Sequence, residues 1–227
     1  MSRIVLKLGG RVATEAAVEA LALRSAGHEV VVVHGAGPQI SAEMERRGIV
    51  PAFVDGRRVT TAEILEVVRG SLAEVNAAVC AAIGVDATPL FGDEIGLRAT
   101  QVEELGLVGH PTPSAPPAIE QALAADRIAV VAPLAIGPGD VGSLNVNADE
   151  AAAALAVGLA AERIVFFTDV AGVLMGGTVI AHIAAADADR MLGDGTFEGG
   201  IVPKLEAAVR AARGGVRAEI GATEVVA

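Results

Sequence analysis

Fifteen of the seventeen basic residues in this chain are arginine, and the only lysines are Lys7 and Lys204. A lysine ammonium is a compact charge with three rotatable donors, whereas a guanidinium is a wide planar fork. A crowded phosphate site admits the first and excludes the second; a compositional bias would leave two lysines at indifferent positions. Their surroundings separate the two readings. Lys7 stands two residues before Gly9-Gly10, and Gly35-Ala36-Gly37 forms a second glycine-bearing turn. Glycine lets backbone N–H groups approach a phosphate closely. Neither turn matches GxGxxG or a P-loop, which removes support for dinucleotide oxidoreductase and Walker-type readings. Lys204 follows Gly199-Gly200-Ile201-Val202-Pro203, and proline suits a first helical turn. The helix dipole disfavours a cation there, unless helix end and ammonium act on the same anion.

A second cluster is NVNAD, which holds two of the three asparagines of the chain. Asn147 reads as a helix cap, with Asp149 and Glu150 favouring the positive helix end. Capping leaves Asn145 unexplained, and its amide is available to a polar ligand. His34 has no cysteine or second histidine near it and reads as a packed, hydrogen-bonded residue. The other three histidines are scattered without metal-ligand spacing, and no GxSxG elbow is present.

The elements that must position these residues follow from patterning. Apolar runs at Arg3–Leu8 and at residues 28–33, 86–90, Ile128–Ala132 and 163–168 read as buried strands. Helical spacing covers residues 14–26, 39–47, 61–83, 118–125, 149–159 and 201–212. Thr60 and Thr61 are cap candidates, and Gly214-Gly215 is a stop. Residues 216–220 and 223–226 read as short closing strands, and residues 94–109 as a hairpin over one face. Strands alternating with helices predict an α/β fold with a mostly parallel sheet covered on both faces. In such sheets ligands bind beyond the carboxyl ends of the strands. The Pro-rich HPTPSAPP segment is the one linker-like piece, placing a lobe boundary near residue 130 of a single 1–227 domain.

Composition bounds the function. A net charge of −11 disfavours a nucleic-acid surface. The longest apolar stretch, residues 151–161, is too short to span a bilayer. The N-terminus lacks the pattern of a secretory signal, and the single Cys80 fits a reducing compartment; a cytoplasmic protein is expected.

VLKLGG, VVHGAGPQI, DGRRVT, NVNADEAAAALA, TDVAGVL and GGIVPKLEAA occur in this order. Their order and approximate spacing resemble those of acetylglutamate kinases, in the amino-acid kinase superfamily, from residue 3 to about residue 215. The resemblance implies an open αβα sandwich, with an N-terminal lobe (about 1–130) for the amino acid and a C-terminal lobe (about 131–227) for ATP. The implied reaction is phosphorylation of the side-chain carboxylate of N-acetyl-L-glutamate in arginine biosynthesis. By the same resemblance, Lys7 and Lys204 neutralise the transferring phosphoryl group and Asp149 holds both. Gly9, Gly10, Gly35 and Ala36 surround the phosphoryl and acceptor groups, and Arg58 and Asn145 clamp the substrate α-carboxylate. Asp169, Val170, Ala171, Gly172, Val173 and Leu174, with Thr196, Phe197 and Glu198, form the nucleotide wall. Mg²⁺ comes bound to ATP, and no protein metal site is expected. Arg57, adjacent to Arg58 and pointing to the opposite face, is expected to be a solvated charge.

Three departures accompany the resemblance. Ala36 stands where those kinases usually carry glycine, which narrows the pocket, or strains the turn if φ is positive. The chain lacks a helix and loop after residues 216–220. It also lacks the N-terminal helix of arginine-inhibited hexamers, so a homodimer without that feedback is expected. Two alternatives stand beside the kinase reading: a kinase for a different acylated or carrier-linked amino acid, and a non-catalytic nucleotide- or amino-acid-binding homologue.

Overall fold

β-Branched residues dominate the first strands, and their alternate side chains serve two separate cores. Ile4, Leu6 and Leu8, with Val30 and Val32, pack into one; Val5, with Val31 and Val33, packs into the other. A strand buried on both faces has this pattern, because successive side chains point to opposite sides. The computed structural model of the chain describes residues 2–9, 13–54, 56–167 and 170–227.

The first half runs β1 (Arg3–Leu8), α1 (Ala13–Ser25), β2 (Glu29–His34), α2 (Gly37–Arg46), β3 (Phe53–Val54), β4 (Arg57–Arg58), α3 (Ala62–Ile83), β5 (Ala87–Phe91), α4 (Gly92–Ile95), β6 (Ala99–Gln101), β7 (Val108–Pro111), α5 (Pro117–Ala124) and β8 (Ile128–Ala132). The second half runs β9 (Leu134–Ile136), β10 (Ser143–Val146), α6 (Ala148–Gly158), β11 (Arg163–Phe167), β12 (Leu174–Met175), β13 (Thr178–Val179), β14 (His182–Ala184), α7 (Ala185–Gly193), α8 (Ile201–Arg213), β15 (Arg217–Ile220) and β16 (Thr223–Val226). Eight strands form one sheet in the order β14-β16-β15-β11-β1-β2-β8-β5. Every pairing in it is parallel except β15 with β16. The α/β expectation and its mostly parallel sheet hold. No helix among the described residues is long and apolar enough to cross a membrane.

The two cores lie on opposite faces of this sheet. α1, α2 and α3 cover one face, through residues such as Ala20, Met44 and Leu72. α5, α6, α7 and α8 cover the other, through Ile119, Leu155, Ala188 and Leu205. α6 is buried from Asp149 to Ala156, and its alanines let it lie close to β1 and α8. A helix apolar all round is a core helix. Lys7 shares strand parity with Val5, so its side chain points toward α6, and only a charge pair on that helix makes an ammonium tolerable there.

The structure adds elements that the patterning missed. β6, β7, β10 and β9 form a second, four-stranded sheet. Its strands have three or four residues each, too short to show a period. The hairpin read across residues 94–109 is the β6–β7 part of this sheet, with α4 before it. α2 begins at Gly37, ahead of the expected residue 39, because Pro38 falls in its first turn. Thr61, not Thr60, caps α3, its side chain accepting from the Ile64 N–H.

The HPTPSAPP segment is packed, not loose. His110 and Pro111 belong to β7, and the Ser114 N–H donates to the Ala154 carbonyl. A Cβ at Gly158 would collide with the Ser114 backbone. Gly158→Ala is therefore expected to lower stability by about 1–3 kcal/mol, the scale of forced overpacking. Chemical denaturation checks this, and an unchanged midpoint would show that the segment moves aside freely.

Candidate active site

β1, β2 and β8 end on one side of the central sheet, and their following residues Gly9, Gly35 and Pro133 line a cavity of about 360 Å³. The same cavity is lined by Lys7, Ala36, Arg58, Asn145, Asp149 and Lys204, so eight of the residues anticipated from sequence converge there. Gly10 and Asp169 lie outside the described residues.

Asp149 is the hub. It sits in the first turn of α6, whose N-cap Asn147 accepts from the Asp149 N–H at 2.7 Å and the Glu150 N–H at 3.3 Å. Its Oδ1 lies 2.8 Å from Lys7 Nζ and 3.4 Å from Lys204 Nζ. Lys7 and Asp149 are each 5% exposed. Burial pushes the Lys7 pKa below its usual value; Asp149 opposes the shift and Lys204 adds to it. One carboxylate thus faces two ammoniums, leaving a net positive pocket in a chain of net charge −11. An incoming polyanion relieves that imbalance. Lys204 stands in the first turn of α8, where a cation gains nothing from the dipole, and its partner is the carboxylate across the cavity.

Arg58 faces the cavity from β4. It is buried and donates to Ser41 Oγ at 2.9 Å and to Met44 Sδ at 3.1 Å, with its guanidinium 4.6 Å above the Phe53 ring. Burial lowers its pKa, and no ion pair with a carboxylate forms among the described residues. A buried guanidinium without an acid is a receptor for an anionic group. Asn145 on β10 donates to Thr60 Oγ1 at 3.0 Å, and Thr60 donates to the Arg58 carbonyl at 2.7 Å. This chain of bonds ties the second sheet to the arginine. Thr60 is fully buried and was missed as a site residue because its sequence position reads equally well as a cap. Phe53 was missed too; in a chain with five phenylalanines and no other aromatic residue, one within a few residues of an Arg pair was the available signal.

Two expectations change. Arg57 is not a solvated charge: its guanidinium pairs with Glu150 at 2.7 Å, and that carboxylate is 3% exposed. Opposite strand faces do separate the two arginines, but the face opposite Arg58 meets α6. Ala36 has φ −140° and ψ 26°, so the turn is unstrained and the methyl only fills space. Ala36 precedes α2, whose first turn has no side-chain cap; glycine is accepted there as readily as alanine. His34 is packed, as expected: it is buried, hydrogen-bonded through Nε2 to Asn76, and its pKa falls to about 4 through burial. It is a neutral support for the turn at neutral pH.

The anticipated nucleotide wall lies apart from this cavity. Val173 and Phe197 are core residues, so their side chains pack into the protein interior. Val170, Ala171, Leu174, Thr196 and Glu198 are exposed, and Gly172 has φ 154° where a Cβ would meet Val179 and Thr223. Thr196, Phe197 and Glu198 precede α8, which carries Lys204 into the cavity.

The model of the Amino acid kinase family matches residues 2–221. The acetylglutamate kinase of Rubrobacter xylanophilus is 39% identical over 226 residues, covering 97% of this chain and 88% of that protein. The acetylglutamate kinase of Jannaschia sp. is 39% identical over 229 residues, covering 95% and 80%. The crystal structure of smu.665 from Streptococcus mutans UA159 superposes with a TM-score of 0.88 at 29% identity, over 99% of this chain and 98% of that one.

Proposed function

The chain belongs to the amino acid kinase family, and from that premise we propose that it transfers the γ-phosphoryl group of ATP to the side-chain carboxylate of N-acetyl-L-glutamate, as a step of arginine biosynthesis. The observation that carries this reading is the Lys7–Asp149–Lys204 bridge in one cavity with an arginine that has no acid partner among the described residues. A carboxylate acceptor has a pKa of about 4.3 and is already ionised at neutral pH, so no general base is needed. An acceptor oxygen attacks the γ-phosphorus while the bond to ADP breaks, and the protein supplies alignment and charge neutralisation.

In this reading Lys7 and Lys204 bind the phosphoryl oxygens on either side, and Asp149 sets the position of both ammoniums. Gly9, Gly10 and Ala36 turn backbone N–H groups to the phosphoryl and acceptor oxygens in this reading; the Gly35 N–H donates to the Leu8 carbonyl at 3.1 Å, so Gly35 lines the pocket without supplying that donor. Arg58 and Asn145 hold the α-carboxylate. The lobe before about residue 130 takes the amino acid. The later lobe takes the nucleotide against Asp169–Leu174 and residues 196–198. Asp149 is the one carboxylate among the described residues lining the cavity, and two ammoniums already engage it. That donor set fits Mg²⁺ held by the nucleotide phosphates, where it adds charge neutralisation. We place the enzyme in the cytoplasm, as a homodimer.

Trapping with hydroxylamine tests the reaction: a hydroxamate should form only with ATP and N-acetylglutamate together. Faster hydroxamate formation from another acylated or carrier-linked amino acid would move the substrate, and nucleotide binding without hydroxamate from any acceptor would make this a binding protein. Arg58→Ala is expected to raise KM for the amino acid by about 10- to 100-fold, the range for a lost charge-assisted bond, with KM for ATP unchanged. Equal loss on both substrates would remove Arg58 from the clamp. Ala36→Gly, with no strain to relieve, is expected to keep kcat/KM for N-acetylglutamate within about threefold and to widen acceptance of bulkier acyl groups. A ratio of kcat/KM values unchanged across an acyl series would show that the methyl does not touch the acceptor.

A further inference from the structure

α6 starts with two buried carboxylates that point to different partners. Asp149 turns to the lysines; Glu150 turns away and is 3% exposed. Its Oε1 accepts from Arg57 at 2.7 Å through Nη2 and at 3.2 Å through Nε. Its Oε2 lies 3.0 Å from His110 Nδ1 on β7 and 3.5 Å from Arg210 Nη1 on α8. The roles assigned above use none of these four residues, although Arg57 also lines the cavity. Their placement still bears on it: Arg57 adjoins the α-carboxylate clamp Arg58, Glu150 adjoins Asp149, and Arg210 shares its helix with Lys204. The β3–β4 pair that carries Arg58 has two residues on each strand and two exposed apolar side chains, Phe53 and Val54, so its own packing holds it weakly.

We propose that Glu150 is a positioning residue that joins the Arg58 hairpin to α8 through Arg57 and Arg210, so that the acceptor clamp and the phosphoryl-binding lysine are held in one register. The proposal deepens the kinase reading and rests on it for its kinetic consequence, but not for its structural one. A carboxylate shared by two guanidiniums and an imidazole carries more of the local order than any one partner, because removing it leaves like charges facing each other in a half-buried space. His110 sets where β7 meets α6, and thereby fixes the strand that pairs with β10 and its Asn145.

Three variants test it: Glu150→Gln, Arg57→Ala and the double change, with Arg57→Lys as the conservative control. Each single change should raise KM for the acyl amino acid about tenfold or more with kcat lowered less, the double change should be no worse than the worse single, and Arg57→Lys should recover most of the loss. A lower melting temperature with unaltered KM would overturn the proposal, since a merely structural ion pair acts that way. Additive single effects would overturn it as well. Amide hydrogen exchange in the substrate-free chain reads the linkage without turnover: Glu150→Gln should speed exchange both in residues 57–60 and in residues 201–206. Exchange unchanged in either segment overturns the linkage. If the wild-type chain forms no acyl phosphate while exchange behaves as stated, the kinase reading fails and the linkage stands.

Discussion

Lys7→Arg and Lys204→Arg are each expected to lower kcat by about 10²–10³-fold in a protein that remains folded. That range is the cost of about 2.7–4 kcal/mol for one lost transition-state donor. Charge is conserved in both changes, so geometry alone is tested. Lys7 Nζ lies 2.8 Å from Asp149 at the end of β1, pressed between α6 and the glycine turns, with almost no solvent contact. A planar fork in that space must rotate away from the carboxylate or push α6 outward. Lys204 has more room, at 16% side-chain exposure, so the Lys204→Arg variant should fold more easily and still misplace its donors. Steady-state kinetics with a melting curve for each variant checks the result. A near-wild-type kcat in either would take that lysine out of the reaction.

Asp149→Asn should have the other large effect, on stability and activity together. Removing one partner of a buried ion pair typically costs about 3–5 kcal/mol, because the remaining charge has no compensation. Here two ammoniums would be left facing each other. The pH dependence separates this charge effect from a change of shape. Burial sets the folded-state pKa of Lys7 below the ordinary 10.5, so keeping its proton disfavours the fold at neutral pH, and that cost is relieved as pH rises through the lowered value toward 10.5. Activity runs the opposite way, since the reaction needs the ammonium. The alkaline limb of kcat/KM should therefore fall below pH 10.5 in the wild type, and lower still in Asp149→Asn, where the attraction that supports the charge is gone. A limb at the same pH in both proteins would show that Lys7 ionisation does not govern the rate.

The sequence by itself determined seven of the eight strands of the central sheet, missing only the three-residue edge strand β14, and the two lysines of the charged centre. β1 and β8 occupy the predicted spans, α3 begins one residue after its predicted start, and the closing strands are shifted by one residue at most. These elements were legible because each is a run of β-branched residues or a long periodic helix, bounded by glycine, threonine or proline, whose burial any fold of this class would demand. The two lysines and Asn145 were legible because rare residue types next to turns carry information that common ones do not; Arg58 and the role of Asp149 came from the family resemblance, since arginine and aspartate are common in this chain. Tertiary structure alone decided what lay between them. Only the β6–β7 hairpin of the four-stranded second sheet was announced locally, because the strands of that sheet are too short for periodicity; that this hairpin joins β10 and β9 follows from the long-range pairing of β7 with β10, as between Val108 and Asn145. The conformation of Ala36 depends on how β2 meets α2, and its φ of −140° removes the strain that the sequence left open. Arg57 and Arg58 show the same division most plainly. Adjacent, chemically identical side chains were assigned to opposite faces by strand geometry, but the nature of each face came from elsewhere in the chain: Phe53, Ser41 and Met44, none of them an acid, for Arg58, and Glu150 of α6, 93 residues away, for Arg57. Local sequence sets the direction of a side chain; long-range packing sets the charge it meets, and so whether an arginine is paired with an acid, as Arg57 is, or set among neutral groups, as Arg58 is.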